Sequence, residues 1–397
     1  MKLDQFYLMI ILSEGMYCLM KVCIVNTNFS LGGVQKVAVD IANGLSKEKG
    51  YEVSLFNFYG DGIVFYEIEK EVNIFNNVRV KTFLERIIHK YFTYRYKLIG
   101  KTYQLSSCVK NGLKGLTEMI EKREFDCLIL CQGLLTTLAP KLKEKFPHLK
   151  VIAWQHSAYE VYIQNYCAPF LDEYLQGLLK SDHIVCLTRH FNESFKSHNS
   201  STTYIYNPVT IKNEQVSRLD NNTVVFVGRL IIETKGLDYL VSIAEKVSSK
   251  WKWKLAGNGV DEEEFKRLVF QKELEKTIEL VGPLSGDDLV NHYLGGSIYA
   301  STSRWEGLSL VLLEAMSCGL PIISFDIPGT REMLDDGKCG VLIEKYNLDH
   351  FAKEVDRLMN NKCLREQYQR KGLERIKDFS LEKIIMQWKN LIAYNYD

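Results

Sequence analysis

Long hydrophobic runs are missing from this 397-residue chain: no stretch approaches 18 consecutive apolar residues, so no transmembrane helix is expected. An excess of one charge is missing too. Fifty Lys and Arg against 49 Asp and Glu leave a formal charge of +1, which excludes a wholesale electrostatic bias toward nucleic acid and leaves partners to be argued from local patches. Ten cysteines occur, but no pair has the C-x-x-C spacing of a zinc or thioredoxin-like site. Cys23, Cys127, Cys131 and Cys186 fall inside apolar strand-like runs, which reads as reduced thiols used as small core residues in a cytosolic protein. With only 7 prolines, 46% apolar and 25% charged residues, the composition is that of a soluble globular protein too long for one ordinary core. The one apolar burst near the start, "FYLMIIL", is too short to span a bilayer and has no small-residue cleavage site after it. Met20 opens "MKVCIVN", a normal first strand, so residues 1–19 are expected to be an extension or an artefact of start-codon choice.

What is present is alternation. Short runs rich in β-branched and aromatic residues, at 22–26, 52–58, 126–131, 150–154, 183–187 and 203–206, alternate with amphipathic stretches. In "VQKVAVDIANGLSKE" (34–48), for example, Val34, Val37, Ala38, Ile41 and Leu45 share one helical face. The segment 207–222, polar and aperiodic, reads as an interdomain linker, after which strand-like runs resume at 223–228, 251–257, 277–282, 297–301 and 321–325. A last helix is expected over about 380–395. The fold class is therefore α/β: two doubly wound domains, 1–207 and 208–379, with 380–397 packing back on the first domain. Ligands of such folds bind at the carboxyl ends of the strands, so two such domains facing each other would enclose a cleft.

Candidate chemistry gathers at those strand ends. "VFVGRLIIETKGLDYL" (225–240) ends a strand with Gly228, then offers Arg229 and Lys235 before a helix; "LAGNG" ends another with Gly257 and Asn258. The glycines allow close backbone approach, and the two cations suit a polyanion. In "STSRWEGLSLVLLEAMSCGLPII" (301–323), Glu306 sits in a loop before a helix starting near Ser309, whose free N–H groups suit a phosphate. Glu314, inside that helix among Leu312, Leu313, Ala315 and Met316, is a buried carboxylate in need of a specific partner such as a ribose diol. Dipole complementation would be the bland role for Glu306.

Those stretches, with "LVGPLSGDDL" and the N-terminal "FSLGGVQKVAVDIANGL" (29–45), in this order and spacing, resemble retaining glycosyltransferases of family 4, which have the GT-B fold of two Rossmann-like domains. The resemblance runs from Met20 to the last helix. It implies that Arg229 and Lys235 grip the diphosphate of a nucleotide-sugar donor, Glu314 the ribose and Glu306 the donor sugar. It also implies that Gly307, Leu308, Ser309 and Leu310 present backbone N–H groups to phosphate, and that Val281 through Leu284 contact the base. Gly32 and Gly33 would let the N-terminal loop approach donor phosphate and acceptor, and His156 in "WQHSAYE" matches an active-site histidine. Arg229, Lys235, Glu306 and His156 are thus the implied catalytic set, with no metal site and no cofactor beyond the donor. No D-x-D sequence is present to bridge a metal to a diphosphate, so cationic side chains would take that place.

The stretch 79–101, "RVKTFLERIIHKYFTYRYKLIGK", carries Arg79, Lys81, Arg86, Lys90, Arg95, Lys97 and Lys101 against one acid, Glu85, with interleaved aromatics. It fits an anionic membrane surface; the plainer reading packs Phe83, Ile87, Ile88 and Tyr91 on the N-terminal sheet. No nucleic-acid motif accompanies it. The expectation is a metal-independent hexosyltransferase acting on a glycan or lipid-linked acceptor, cytoplasmic and peripheral to the inner membrane face. UDP-sugar is the favoured donor, a hexose or N-acetylhexosamine the group moved. A nucleotide-sugar 2-epimerase or a non-catalytic partner subunit would share the architecture. The first would need no acceptor, and the second usually lacks the cations and carboxylates present here.

Overall fold

The computed structural model of the chain describes residues 19–60, 62–79, 83–211, 213–247 and 250–393. The expected extension 1–19 therefore lies, but for Leu19, outside the described residues, as does Lys81. The chain divides into two compact units. The first comprises the described parts of Met1–Cys186, Ser194–Thr203 and Ile385–Asp397; the second comprises Leu187–Glu193 and the described parts of Tyr204–Ile384.

In the first unit, β1 (Met20–Asn26), β2 (Tyr51–Asn57), β3 (Val72–Asn76), β4 (Cys127–Cys131), β5 (Lys150–Trp154), β6 (His183–Cys186) and β7 (Thr202–Tyr204) form one sheet in the order β3-β2-β1-β4-β5-β6-β7. The pairs among β1 to β6 are all parallel. In the second unit, β8 (Thr223–Val227), β9 (Lys252–Ala256), β10 (Ile278–Gly282), β11 (Ile298–Ser301), β12 (Ile322–Phe325) and β13 (Val341–Ile343) follow the order β10-β9-β8-β11-β12-β13, parallel throughout. Relative to its own first strand, each sheet begins in the 3-2-1-4-5-6 order of doubly wound folds. The reversal falls between β1 and β4 in one and between β8 and β11 in the other.

Central strands are buried on both faces, which is why they read as continuous apolar runs: Val22 to Val25, Leu128 to Leu130 and Val224 to Phe226 are at most 2% exposed. The cysteines follow suit, since Cys23, Cys127, Cys131 and Cys186 are fully buried. Burial drives the Cys127 thiol up to about 12, so it stays protonated and inert.

The helices that matter below are α1 (Gly33–Ser46), α2 (Phe83–Ile99), α3 (Ile232–Lys235), α4 (Leu237–Lys246), α5 (Gly286–Leu294), α6 (Leu310–Ser317), α7 (Pro328–Met333) and α8 (Leu381–Ala393). The segment 207–222 is irregular, but its described residues are fastened to the second unit: the Ser217 hydroxyl donates to the Gly296 carbonyl at 2.5 Å and Arg365 donates to Leu219 O at 3.0 Å. From Ile385 onward, α8 belongs to the first unit. There Trp388, fully buried, meets Trp154 edge to face at 4.8 Å, and Lys150 donates to the Leu391 carbonyl at 2.6 Å. Among the described residues no helix is long and apolar enough to cross a membrane.

Candidate active site

The second sheet places its candidates at the reversal of strand order. Gly228 follows β8, Gly257 follows β9 and Gly282 ends β10; Gly228 N donates to Ala256 O at 3.0 Å and Gly257 N to Gly282 O at 2.8 Å. A Cβ on Gly257, at φ 137°, would stand 1.9 Å from Gly228 O. That position accepts only glycine. Leu230 N donates to Asn258 O at 2.8 Å, so the loops after β8 and β9 lie side by side. Val281 in β10 and Leu284 just after it are half-buried at the next strand end along.

Arg229 is exposed, and among the described residues no ion pair holds it. Lys235, four residues into the next turn, folds back: its Cε would be 3.5 Å from a Cβ on Gly228. Its ammonium pairs with Glu306 Oε1, both side chains being nearly buried at 15% and 13% exposed. The Ser303 hydroxyl donates to the same oxygen at 2.8 Å. An ammonium keeps further donors beyond one carboxylate contact, so the pair presents a cation at the strand end without stranding a charge.

Three residues that the sequence reading passed over hold this pair in register. Thr302, at the end of β11, donates its hydroxyl to the carbonyls of Lys235 and Gly236 at 3.0 and 2.8 Å. Arg304 reaches the Ile232 carbonyl at 2.6 Å and Asp238 Oδ2 at 2.7 Å, and its guanidinium lies 4.1 Å over the Tyr239 ring. These contacts stitch the Glu306 loop to α3 and the start of α4. Gly329, in α7, backs the loop from another direction: a Cβ there would stand 1.9 Å from Gly307 O and 3.3 Å from Glu306 O. Arg304 lies within the quoted motif and could have been singled out as a cation beside Glu306. Gly329 gave no signal in the sequence.

Helix α6 starts at Leu310 with Ser309 as its N-cap residue, yet the Ser309 side chain makes no capping bond. Its first-turn N–H groups follow directly on Gly307 and the buried Leu308. Glu314, 8% exposed, does have specific partners, and they are protein hydroxyls: Thr210 donates to Oε1 at 2.5 Å and Tyr293 of α5 to Oε2 at 2.9 Å. Burial and the Glu314 charge push the Tyr293 phenol well above its ordinary value, so it remains a donor. A carboxylate oxygen can accept more than one bond.

The remaining candidates lie in the first unit. Gly32, at the end of the loop after β1, has an extended backbone that any residue adopts, and a Cβ there would meet only the flexible Gln35 amide. The Tyr66 hydroxyl clasps it, accepting from Gly32 N and donating to Gly32 O, each at 3.0 Å. Gly33 opens α1, and no side chain caps that helix. His156 follows β5; its backbone N–H donates to Tyr162 Oη at 2.9 Å and its ring lies 4.4 Å from Trp154. Its Nε2 is buried with no hydrogen-bond partner among the described residues, and burial pulls the imidazole down to about 3. His156 is therefore neutral at physiological pH. No group of three or more His, Cys, Asp or Glu among the described residues is placed to hold a metal ion.

Residues 209–375 match the family model of glycosyl transferases group 1. An uncharacterized glycosyltransferase of Haemophilus influenzae is 29% identical over 372 residues, 91% of this chain and 97% of its own length. A Campylobacter jejuni enzyme, the GalNAc-alpha-(1->4)-GalNAc-alpha-(1->3)-diNAcBac-PP-undecaprenol alpha-1,4-N-acetyl-D-galactosaminyltransferase, is 24% identical over 94% of this chain and 99% of its own. Among solved structures, the sucrose-phosphate synthase of Thermosynechococcus elongatus aligns with a TM-score of 0.76 at 18% identity, covering 94% of this chain and 98% of that one. TarM of S. aureus, solved with UDP and alpha-GlcNAc-glycerol, aligns at 0.72 and 16%, covering 95% and 100%. Two parallel-sheet Rossmann-like domains, a group 1 match over the second and full-length transferase relatives support glycosyltransferase activity on a GT-B fold.

Proposed function

We propose that the chain is a retaining, metal-independent glycosyltransferase of family 4. It moves a hexose or N-acetylhexosamine from a nucleoside diphosphate sugar, UDP-sugar favoured, to a hydroxyl of a glycan or lipid-linked acceptor. The setting is surface polysaccharide or glycolipid assembly at the inner face of the cell membrane. Solved neighbours carry UDP, and the Campylobacter relative is named for an undecaprenol-linked acceptor.

The observation that carries the reading is the nearly buried Lys235–Glu306 pair beside Gly228, at the reversal of strand order. As the bond between the anomeric carbon and the diphosphate oxygen breaks, its electron pair passes to the leaving group. Arg229, Lys235 and the first turn of α6 stabilise that growing negative charge. Glu306 orients the sugar hydroxyls, and Glu314 the ribose. The acceptor oxygen then bonds to the anomeric carbon on the face the diphosphate leaves, and its proton passes to a leaving phosphate oxygen. The first unit serves the acceptor, with His156 as a neutral imidazole.

Turnover is measured on a panel of UDP-, GDP- and ADP-sugars with candidate acceptors, the anomeric configuration of the product being read by NMR. Lys235→Ala lowers turnover by about 10²–10³-fold. Glu306 then loses its cation, so melting is followed alongside, and the exposed Arg229→Ala serves as a second variant without that complication. Both variants turning over at more than a tenth of the wild-type rate, or an inverted product, would refute the reading. Loss of turnover in EDTA would refute metal independence.

A further inference from the structure

Helix α2 turns its apolar stripe toward solvent. Leu84, Ile87, Tyr91, Tyr94 and Leu98 recur at alternating spacings of three and four, which lines them up along one face. All five are exposed, from 46% for Ile87 to 66% for Leu84, and Phe83 and Ile99 add 78% and 68% at the two ends. Of the stripe Phe83, Ile87, Ile88 and Tyr91 in the alternative reading, only Ile88 is half-buried, and the other three are exposed.

The opposite face of α2 is what anchors it. Glu85, the helix's only acid, is buried there, its carboxylate accepting from the Asn111 backbone at 3.0 Å and the Asn111 amide at 3.3 Å. Phe92 stacks on Tyr103 at 5.4 Å, and the Thr93 and Tyr103 hydroxyls are 3.3 Å apart. The outward stripe is thus held in orientation by the inner face. At about 100° per residue, Arg86, Lys90 and Lys97 fall along one border of the stripe and Arg95 along the other. Among the described residues no ion pair engages Arg86, Lys90 or Lys97, whereas Arg79 is spent on Glu118 through two bonds of 2.6 and 2.7 Å. A cavity of about 330 Å³ lined by His89, Lys90, Thr93, Tyr94 and Lys97 lies on the cationic border.

We propose that α2 is a docking helix that lies flat on an anionic bilayer, with the Leu84–Leu98 stripe among the acyl chains and Arg86, Lys90 and Lys97 on lipid phosphates. This names the membrane partner of the lipid-linked acceptor reading and rests on it. Charge complementarity selects the occupant. Two copies of α2 laid stripe to stripe would bring their cationic borders together. Single-stranded nucleic acid would match the cations and tyrosines but leave Leu84, Ile87 and Leu98 without a base to stack on. An anionic bilayer satisfies both stripe and border.

The full chain is sedimented with phosphatidylcholine vesicles and with vesicles containing phosphatidylglycerol. Two surface variants are compared with it, I87S/Y91S/L98S and R86A/K90A/K97A. Binding is expected to the anionic vesicles only, to fall with salt, and to drop about a hundredfold in the cation variant. The stripe variant is expected to lose binding as well. Equal binding to neutral vesicles, unchanged binding in either variant, stripe-dependent self-association without lipid, or tighter binding to single-stranded RNA than to vesicles would overturn the proposal. UDP binding by calorimetry is read in parallel. Both variants are expected to keep it, and its absence from the wild type would strike the donor reading without altering the vesicle result.

Discussion

Alanine at Gly329 tests the backing of the Glu306 loop. The backbone at Gly329 is not in the left-handed region, so conformation alone would admit a side chain. Space does not. The new Cβ would stand 1.9 Å from Gly307 O, a backbone atom that no rotamer change can move, so α7 and the loop must part by about 1 Å. Overpacking of this kind costs about 1–3 kcal/mol of stability. The larger effect is on Glu306 and the start of α6, both carried by the displaced loop. A shift of ~1 Å in a positioning group costs ~10²-fold in rate, or about 2.7 kcal/mol of transition-state stabilisation. The assay is kcat/KM for the donor with thermal unfolding followed in parallel. Gly372→Ala is the control, since its Cβ would meet only the flexible Met316 side chain, at 3.3 Å. The control is expected to keep full activity. Gly329→Ala with wild-type kcat/KM would refute the view that α7 fixes the loop.

Arg304→Lys keeps a charge for Asp238 but loses the fork that reaches the Ile232 and Glu233 carbonyls, so donor kcat/KM should fall about 10–150-fold, equivalent to one lost hydrogen bond to a charged group; a lysine variant indistinguishable from wild type would count against the stitching role. Tyr66→Phe removes both bonds to Gly32 and should lower kcat severalfold with little change in melting temperature; unchanged kcat would show the clasp to be idle. His156 has a folded value of about 3, below its unfolded value of about 6.5, so the unfolded chain binds the extra proton between them. Its contribution to stability is complete above pH ~6.5 and declines toward pH 3, by up to about 1.4 kcal/mol per pH unit. His156→Gln should flatten the pH dependence of unfolding in that window, and an unaltered profile would deny the burial of the imidazole.

Much of this was legible because parallel sheets impose double-sided burial. Every strand expected from an apolar run is present, within two residues at either end. The two strands not foreseen are both edges: β3, "VNIFN", is largely exposed, and β13 has only three residues. β3 lacks the burial that makes a run continuous, and β13, though buried, is too short to stand out. Within the site, Gly228, Lys235, Gly257 and Glu306 stood out because glycines and charges at strand ends are unusual residue types in usual places; the pairing of Lys235 with Glu306 did not. What escaped were contacts between distant segments. That Glu314 is gripped by Thr210 and Tyr293, that Arg304 ties one loop to another, and that Gly329 abuts Gly307 depend on which surfaces meet. For α2 the sequence left two readings open, a surface helix and a packed one, because periodicity defines a stripe but not the side that faces the core.

The contact between Trp154 and Trp388 sets an order of events during synthesis. Most of the first unit leaves the ribosome early, yet the piece that covers Trp154 comes after Tyr204–Ile384 has been made. At ~5–20 residues per second that interval is roughly 10–40 s. For that time the half translated first carries Trp154 without the Trp388 ring that meets it.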